Sequence, residues 1–339
     1  MSKKINLFAI LVLSLMVMFT VSCEGPAGED GLAGTDGAAG ADGADGADGV
    51  DGNVTCLVCH SEANMIDNQI EMSRSQHGIG EFINYADYYG GGCARCHSGN
   101  GFVEFVTTGE VADNVKVPEA WQCGTCHGLH TTFEEADYAL RLTDASAAIF
   151  DATVSLDVDE NSNLCVSCHQ ARSGPAKFWD GSADSVEVGG HDGPHHGPQS
   201  NVLLGNLGAS STGVPFAAHV GAGCVGCHMT EGTGDDTNVA GGHTFKPLVE
   251  ACTSCHTSAT DFDLFGGQTS VTTKMATLSG YLLTAGIIDS TGHLHDGTYS
   301  AEVFQAWWNY VVIHEDRSLG VHNPTYVDAL LDEAIALVD

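Results

Sequence analysis

The sequence predicts a mostly irregular chain with short α-helices and little β-structure. The pattern Cys-x-x-Cys-His occurs six times, about once in every 47 residues between positions 56 and 339. Aromatic residues make up 7% of the chain and there are 43 glycines, so side chains alone supply little apolar material for a core. We therefore expect loops and short helices arranged around something other than side chains.

The six repeats, numbered motifs 1 to 6 in chain order, have the attachment pattern of c-type haem. Two thiols bond to one porphyrin, and the adjacent histidine reaches the iron as its proximal ligand. The sequence therefore predicts six c-type haems. The predicted attachment residues are Cys56, Cys59, Cys93, Cys96, Cys123, Cys126, Cys165, Cys168, Cys224, Cys227, Cys252 and Cys255, and the predicted proximal ligands are His60, His97, His127, His169, His228 and His256.

Two other uses of paired cysteines need to be weighed against haem attachment. Pairs of Cys-x-x-Cys units also build four-cysteine zinc sites, and cysteines in exported chains form disulfides. Neither use requires a histidine after each pair, and all six pairs have one. The pattern therefore favours haem.

Six porphyrins would supply the missing apolar filling. The predicted fold is that of a multihaem c-type cytochrome, wrapped around a stacked chain of haems. The clearest helices are expected at the C-terminus, where residues 300–312 place Phe304, Trp307 and Trp308 at helical spacing. Asn323 followed by Pro324 predicts the start of a second helix that runs to about residue 338. We expect both tryptophans to pack in a core.

The N-terminal segment predicts export. Lys3 and Lys4 precede an apolar run over residues 5–21, which is typical of a signal peptide, here assigned to residues 1–22. Cys23 belongs to no haem motif and stands where a bacterial lipoprotein carries its lipid, although Thr20 makes the preceding pattern degenerate. A lipid anchor at Cys23 is the prediction, and ordinary cleavage nearby is the alternative.

Residues 23–55 are predicted to form an acidic spacer, before the hexahaem domain at 56–339. Glycine occupies every third position from Gly25 to Gly52, as in collagen, where only glycine fits at the axis of the triple helix. The repeat has a single proline, Pro26, and many aspartates, so a flexible stalk is an equal alternative. Only the triple helix would also produce trimers.

The charge of the chain limits its partners. Eleven lysines and arginines stand against 44 aspartates and glutamates, for a formal net charge of −33. Nucleic-acid binding requires basic surface to displace the counterions of phosphate, so the composition argues against it. Partners that are basic or carry multivalent cations suit this charge.

The second ligand of each iron determines its chemistry. An iron with two imidazoles passes electrons, whereas an open iron can bind a substrate. Of 17 histidines, the six motifs use six, which leaves enough for a second imidazole at every iron. The favoured distal candidates are His77, His130, the pair His195 and His196, His219, His243 and His322, and the less favoured ones are His191, His293, His295 and His314.

Four segments resemble a known family. Residues 194–199, 224–229, 242–245 and 316–326 are similar to the multihaem cytochromes c of metal-reducing bacteria, and most of all to outer-surface hexahaem cytochromes. The resemblance extends over about residues 56–339. It implies haems ligated by two histidines each, in alternating parallel and T-shaped pairs that form one continuous chain.

Some members of that family polymerise into conductive filaments. In those members a histidine near the N-terminus ligates a haem of the next subunit, and His77 is the candidate here by position. The stalk and the predicted anchor at Cys23 depart from those members, and an anchored subunit would not simply join a free filament.

The sequence thus predicts electron transfer at the outer membrane, the cell surface or beyond, towards other cytochromes or extracellular metal oxides. The alternative is a multihaem reductase of the nitrite or hydroxylamine type. Such enzymes usually have one altered motif or an open haem surrounded by basic residues, whereas all six motifs here end in histidine. The prediction is therefore an electron-transfer protein and not an enzyme.

Overall fold

The computed structural model describes residues 60–88, 91–131, 138–209, 213–231 and 240–339. These residues belong to one compact unit, Val50–Asp339. The predicted signal peptide, Cys23, the glycine-repeat spacer and the first two attachment cysteines, Cys56 and Cys59, lie outside the described residues.

Most helices are short. In chain order the α-helices of the described residues are α1 (Glu62–Arg74), α2 (Gln76–Ile79), α3 (Ala94–His97), α4 (Gly99–Thr108), α5 (Cys123–Cys126), α6 (Asn163–Val166), α7 (Gln199–Leu204), α8 (Ala217–His228), α9 (Val249–Thr253), α10 (Gly267–Thr284), α11 (Ala301–Asp316) and α12 (Pro324–Val338). Single 3-10 turns occur at Ile83–Asp87, Glu160–Ser162, Pro175–Lys177, Gly242–Thr244 and Leu264–Gly266. No helix in the described ranges is both long and apolar enough to cross a membrane.

The β-structure of the described residues is limited to two small antiparallel pairs. Strand β1 (Ser146–Ala147) pairs with β2 (Ser155–Leu156), and β3 (Ser185–Val188) pairs with β4 (Gly297–Ser300). The prediction of a mostly irregular, helix-containing chain with little sheet is confirmed.

The three C-terminal helices form the main apolar core. Trp307 and Trp308 on α11 are buried in the apolar cluster that also contains side chains of α10 and α12, as expected from their spacing. Helix α12 begins as predicted, because the side chain of Asn323 accepts a hydrogen bond from the backbone N–H of Tyr326 at 3.1 Å. Helix α11 extends to Asp316, one turn beyond the predicted end.

Helix α10 was not predicted. Its buried residues, Val271, Leu278 and Leu282, lie on one face, but threonines, serines and glycines separate them and weaken the apolar pattern. The helix is stabilised by packing against α11 and α12 rather than by intrinsic propensity.

Two backbone features position site residues. Helix α8 bends at Gly223, whose φ of 66° and ψ of 178° lie outside the helical region. After α11 the chain reverses through left-handed conformations at Arg317, Leu319 and Gly320. This reversal brings the end of α11 close to the start of α12.

Candidate haem-binding sites

Each described motif forms one helical turn. The backbone N–H of the histidine donates to the carbonyl of the first cysteine of its own motif, which places both cysteines and the histidine around the same turn. These bonds measure 3.0 Å for His97, 2.9 Å for His127, 2.9 Å for His169 and 2.7 Å for His256, and His228 ends helix α8 in the same way.

The cysteines have the state that haem attachment requires. All ten described motif cysteines are free thiols. Within the described ranges no three histidine, cysteine or acidic side chains converge on a point that could hold a metal ion. Thiols of neighbouring motifs nevertheless approach each other, Cys96 with Cys168 and Cys165 with Cys224.

Four pairs of imidazoles face each other across a nearly constant gap. The ring centroids are 5.9 Å apart for His60 and His130, 6.0 Å for His77 and His169, 6.2 Å for His97 and His195, and 6.3 Å for His228 and His322. In every pair one member is a motif histidine and the other is a candidate distal ligand.

The size of this gap is chemically informative. A metal–imidazole bond of about 2 Å, plus roughly 1.2 Å from nitrogen to ring centre, gives about 6.4 Å between two rings on one metal atom. The four observed separations are within about 0.5 Å of this value. The spacing of each pair therefore matches the distance expected for two imidazoles on one iron.

The third motif has a candidate distal ligand nearby in His243. His243 lies in the turn Gly242–Thr244, which packs against α1. Burial, and second the neighbouring His127, lower the pKa of His243. The Nδ1 of His127 lies 2.6 Å from the carbonyl of Tyr138, which makes Nδ1 the protonated nitrogen and leaves Nε2 free as a metal ligand.

The sixth motif has different surroundings. The ring of Phe265 lies 5.9 Å from His256 at 65°, and the two residues line a cavity of about 420 Å³. Helix α9, which carries Cys252, packs against α8, which carries His219. The Nδ1 of His219 donates to the carbonyl of Val321 at 2.8 Å, so its Nε2 is also free to bind a metal.

Hydrogen bonds orient several other imidazoles. The Nδ1 of His228 donates to the carbonyl of Phe245 at 2.9 Å, and that of His169 lies 3.2 Å from the amide oxygen of Gln199. These bonds hold the rings in one orientation with Nε2 outward. The Nδ1 of His322 instead faces a carboxylate, Asp316, at 2.6 Å.

Burial keeps two distal candidates neutral. Burial, and second the nearby His169, lower the pKa of His77 to about 4. Burial, followed by the charge of Arg172, lowers the pKa of His195 to about 4. Neutral imidazole is the form that binds a metal, so both rings are suited to ligation at neutral pH.

Apolar side chains are exposed where porphyrins would lie. Phe82 and Tyr85 are exposed, and the ring of Tyr85 lies 5.4 Å from His97. Phe265, beside His256, is 94% exposed. Large exposed apolar side chains next to a site indicate a surface that another group covers. The residues of the described motifs therefore fit c-type haem in thiols, imidazoles and apolar lining.

The structure distinguishes His195 from His196. His195 faces His97, whereas the Nδ1 of His196 lies 2.8 Å from a carboxylate oxygen of Glu315 and the ring is largely exposed. His196 was a candidate ligand, and its ring is instead placed in a surface ion pair.

The surroundings of His77 bear on the expectation that it ligates a haem of the next subunit. Its ring is half-buried beside Trp121 and Phe245, and its centroid lies 6.0 Å from that of His169 in the same chain. This position places the ring next to its own chain's fourth motif.

Three of the four less favoured histidines have local partners. His293 contacts Thr291 at 2.7 Å, His295 lies 3.2 Å from the carbonyl of Gly286, and His314 stacks on Tyr310. His191 lies in the loop after β3, between Gly190 and Asp192.

Motif 4 contacts three other motifs. Arg95 of motif 2 donates to the carbonyl of Ser167 at 2.8 Å, and the thiol of Cys168 points at the carbonyl of Arg95 at 3.6 Å. Cys126 of motif 3 and Cys168 pack against one apolar cluster. Cys224 of motif 5 packs against the cluster that contains Val166 of motif 4.

Sequence reasoning did not find two acidic residues that lie against distal candidates. Asp316 bonds to His322, and Glu71 accepts a hydrogen bond from the backbone N–H of His243 at 2.8 Å. Asp316 belongs to the segment 316–326 that carried the family resemblance, so its position was a usable signal. Glu71 lies far from His243 in sequence, and no sequence pattern pointed to their contact.

No family model and no curated protein sequence matches the chain. Two solved structures are similar in fold. The outer cell wall cytochrome OcwA has a TM-score of 0.55 and 20% identity over 79% of this chain and 50% of its own. The undecaheme cytochrome from the S-layer of Carboxydothermus ferrireducens has a TM-score of 0.50 and 20% identity over 77% of this chain and 40% of its own.

The chain thus has the fold of multihaem cytochromes, and it spans half or less of the length of these two relatives.

Proposed function

We propose that this protein is an electron conduit that carries six c-type haems, each held by two histidines. The observation that carries the proposal is the set of four imidazole pairs separated by 5.9–6.3 Å, each pairing a motif histidine with a histidine from a distant part of the chain. Two imidazoles leave an iron no free coordination position, so such a centre passes electrons and does not bind substrate.

The fold also supports an assignment of ligands to motifs. The proposed proximal and distal ligands are His60 with His130, His97 with His195, His127 with His243, His169 with His77, His228 with His322, and His256 with His219. The last pair rests on the packing of α8 against α9 and on the free Nε2 of His219.

The protein's own residues determine how each centre behaves. The haem supplies the one-electron chemistry when it is bound. Hydrogen bonds from Nδ1 to carbonyl oxygens orient the rings and leave Nε2 for ligation. Aromatic side chains such as Trp121 and Phe245 keep water away from His77. These features hold the ligand rings in a fixed geometry. A fixed geometry lowers the reorganisation energy of electron transfer at the haem.

The contacts between motifs support a branched route. Motif 4 contacts motifs 2, 3 and 5, and helix α8 of motif 5 packs against α9 of motif 6. His130, three residues beyond motif 3, faces His60 of motif 1. The route would therefore run from motif 1 through motifs 3, 4 and 5 to motif 6, with motif 2 as a branch at motif 4.

The proposed setting is outside the cytoplasm, at the outer membrane or cell surface or in the extracellular space. The printed names of the two similar structures refer to an outer cell wall and an S-layer. A lipid at Cys23 and the acidic glycine-repeat spacer would tether the haem domain. The proposed acceptors are other cytochromes or extracellular metal oxides, and the charge of −33 favours basic or cation-bearing partners.

Self-assembly through His77 is not part of the proposal, because this ring faces His169 of its own chain. A filament would need a different contact between subunits.

The test is a haem count combined with electron paramagnetic resonance of the oxidised holoprotein. We expect six haems per chain and low-spin signals alone. A high-spin signal worth about one haem would contradict the proposal and favour the multihaem reductase, because an open iron is high-spin. An assay of nitrite or hydroxylamine consumption with a chemical reductant would then test the reductase directly.

A further inference from the structure

A buried carboxylate faces the distal ligand of motif 5. Asp316 is the last residue of α11, and its side chain is 0% exposed. Its oxygen Oδ1 lies 2.6 Å from Nδ1 of His322. Since Nδ1 bonds to the carboxylate, Nε2 is the nitrogen left for a metal, and the ring centroid lies 6.3 Å from that of His228.

The chain reversal after α11 builds this contact. Arg317 and Leu319 adopt left-handed φ angles of 61° and 52°, which are uncommon for residues other than glycine. The hydroxyl of Ser318 donates to the second oxygen of Asp316 and accepts from the backbone N–H of His322 at 3.3 Å. The strained turn thus holds the carboxylate and the imidazole in one orientation.

In the proposed ligand pairs, four other histidines have an Nδ1 hydrogen bond to a neutral group. His127, His219 and His228 donate to backbone carbonyls, and His169 contacts an amide oxygen. Glu71 is the nearest parallel, but its oxygen lies 3.8 Å from Nδ1 of His243, which is too long for a hydrogen bond. Among the described ligand pairs, His322 thus has a short hydrogen bond from its Nδ1 to a buried carboxylate.

A carboxylate acceptor has an electronic consequence. A charge-assisted hydrogen bond is about twice as strong as a neutral one and makes the imidazole a better electron donor to the metal. Stronger donation stabilises the oxidised centre, which carries one more positive charge, relative to the reduced centre. Burial strengthens the effect, because little solvent screens the carboxylate.

We propose that Asp316 is a positioning residue that lowers the reduction potential of the centre held by His228 and His322. The inference rests on the proposed function, since it requires a haem at motif 5. Motif 5 lies between motifs 4 and 6 on the proposed route. A lowered reduction potential at motif 5 makes electron transfer from motif 4 to motif 5 energetically uphill. Asp316 would therefore regulate how fast electrons reach motif 6.

The experiment is a spectroelectrochemical titration of the six-haem holoprotein and of Asp316→Asn. In Asp316→Asn we expect about one-sixth of the absorbance change to move to higher potential than in the unmodified protein. One low-spin signal in electron paramagnetic resonance should also have altered g values. The matched control is Glu315→Gln, which removes the same charge from the preceding residue, whose partner His196 is not a proposed ligand. Asp316→Glu keeps a carboxylate, so its potential should lie between those of Asp316→Asn and the unmodified protein.

A second variant keeps the proposal testable if Asp316→Asn fails to fold. Ser318→Ala removes a donor from the carboxylate and should make it a stronger acceptor for His322, so the same one-sixth should move to lower potential. An unchanged titration in whichever of these variants folds, or a shift that Glu315→Gln reproduces, would overturn the proposal. Failure of the proposed function would be visible separately, as missing haems or a high-spin signal in the unmodified protein.

Discussion

The ring planes of His77 and His169 are inclined by 85°, whereas those of His60 and His130 are inclined by only 18°. The relative orientation of two imidazoles on one iron determines how far its d orbitals are split. Nearly perpendicular rings give highly anisotropic low-spin ferric signals, and nearly parallel rings give rhombic ones. The proposed ligand pairs therefore include both kinds of centre.

Electron paramagnetic resonance of the oxidised holoprotein should resolve both classes. We expect the His77–His169 and His97–His195 pairs, at 85° and 69°, in the anisotropic class. The His60–His130 and His228–His322 pairs, at 18° and 35°, belong in the rhombic class. A spectrum with rhombic signals alone would contradict these orientations.

His77→Ala should open one centre within a single chain. About one-sixth of the haem should become high-spin and bind carbon monoxide, because the distal ligand of motif 4 is lost. The effect should not depend on protein concentration, since His77 faces His169 of its own chain. His314→Ala, at an exposed ring stacked on Tyr310, is the control and should stay low-spin. A concentration-dependent change would point to ligation between subunits.

His195→Ala and His196→Ala should differ although the residues are adjacent. The first removes the ring that faces His97 and should produce about one-sixth high-spin haem. The second removes an exposed partner of Glu315 and should leave the visible and resonance spectra unchanged. The reverse pattern would show that His196 is the ligand.

Gly223→Ala should destabilise the protein. The φ of 66° and ψ of 178° at this position are accessible almost only to glycine, and a Cβ would collide with the side chain of Ser162. We expect a loss of about 1–3 kcal/mol from the backbone alone, measured by thermal unfolding of the holoprotein. Gly221→Ala, where a Cβ meets open space, is the control and should be neutral or slightly stabilising. Equal effects of the two substitutions would refute this account of the bend in α8.

Anomalous diffraction at the iron edge should locate the branch in the haem array. We expect the iron of motif 4 to have three near neighbours, those of motifs 2, 3 and 5, because Arg95, Cys126 and Cys224 join these motifs to it. An unbranched series, in which motif 2 has two neighbours of its own, would exclude a side branch.

The attachment motifs could be predicted from the sequence because the pattern is local. Two cysteines and a histidine within five residues need only one helical turn to face the same porphyrin, and the described motifs form that turn. The C-terminal helices were readable for a similar reason, since Asn323 and Pro324 mark a helix start through contacts within one turn. Helix α10 could not be predicted from the sequence, because its stability depends on packing against α11 and α12.

The sequence alone thus determined which residues form the attachment motifs and which histidines remained as candidates for the second ligand. The tertiary structure decided which of those histidines lies next to which motif: His195 rather than His196 lies beside His97, and His77 lies beside His169 of its own chain. The partners in these pairs lie about 70 to 100 residues apart, whereas periodic patterns in a sequence report on windows of about 11 to 18 residues. Pairing over such separations depends on how the loops close around the whole array, and no local pattern encodes that.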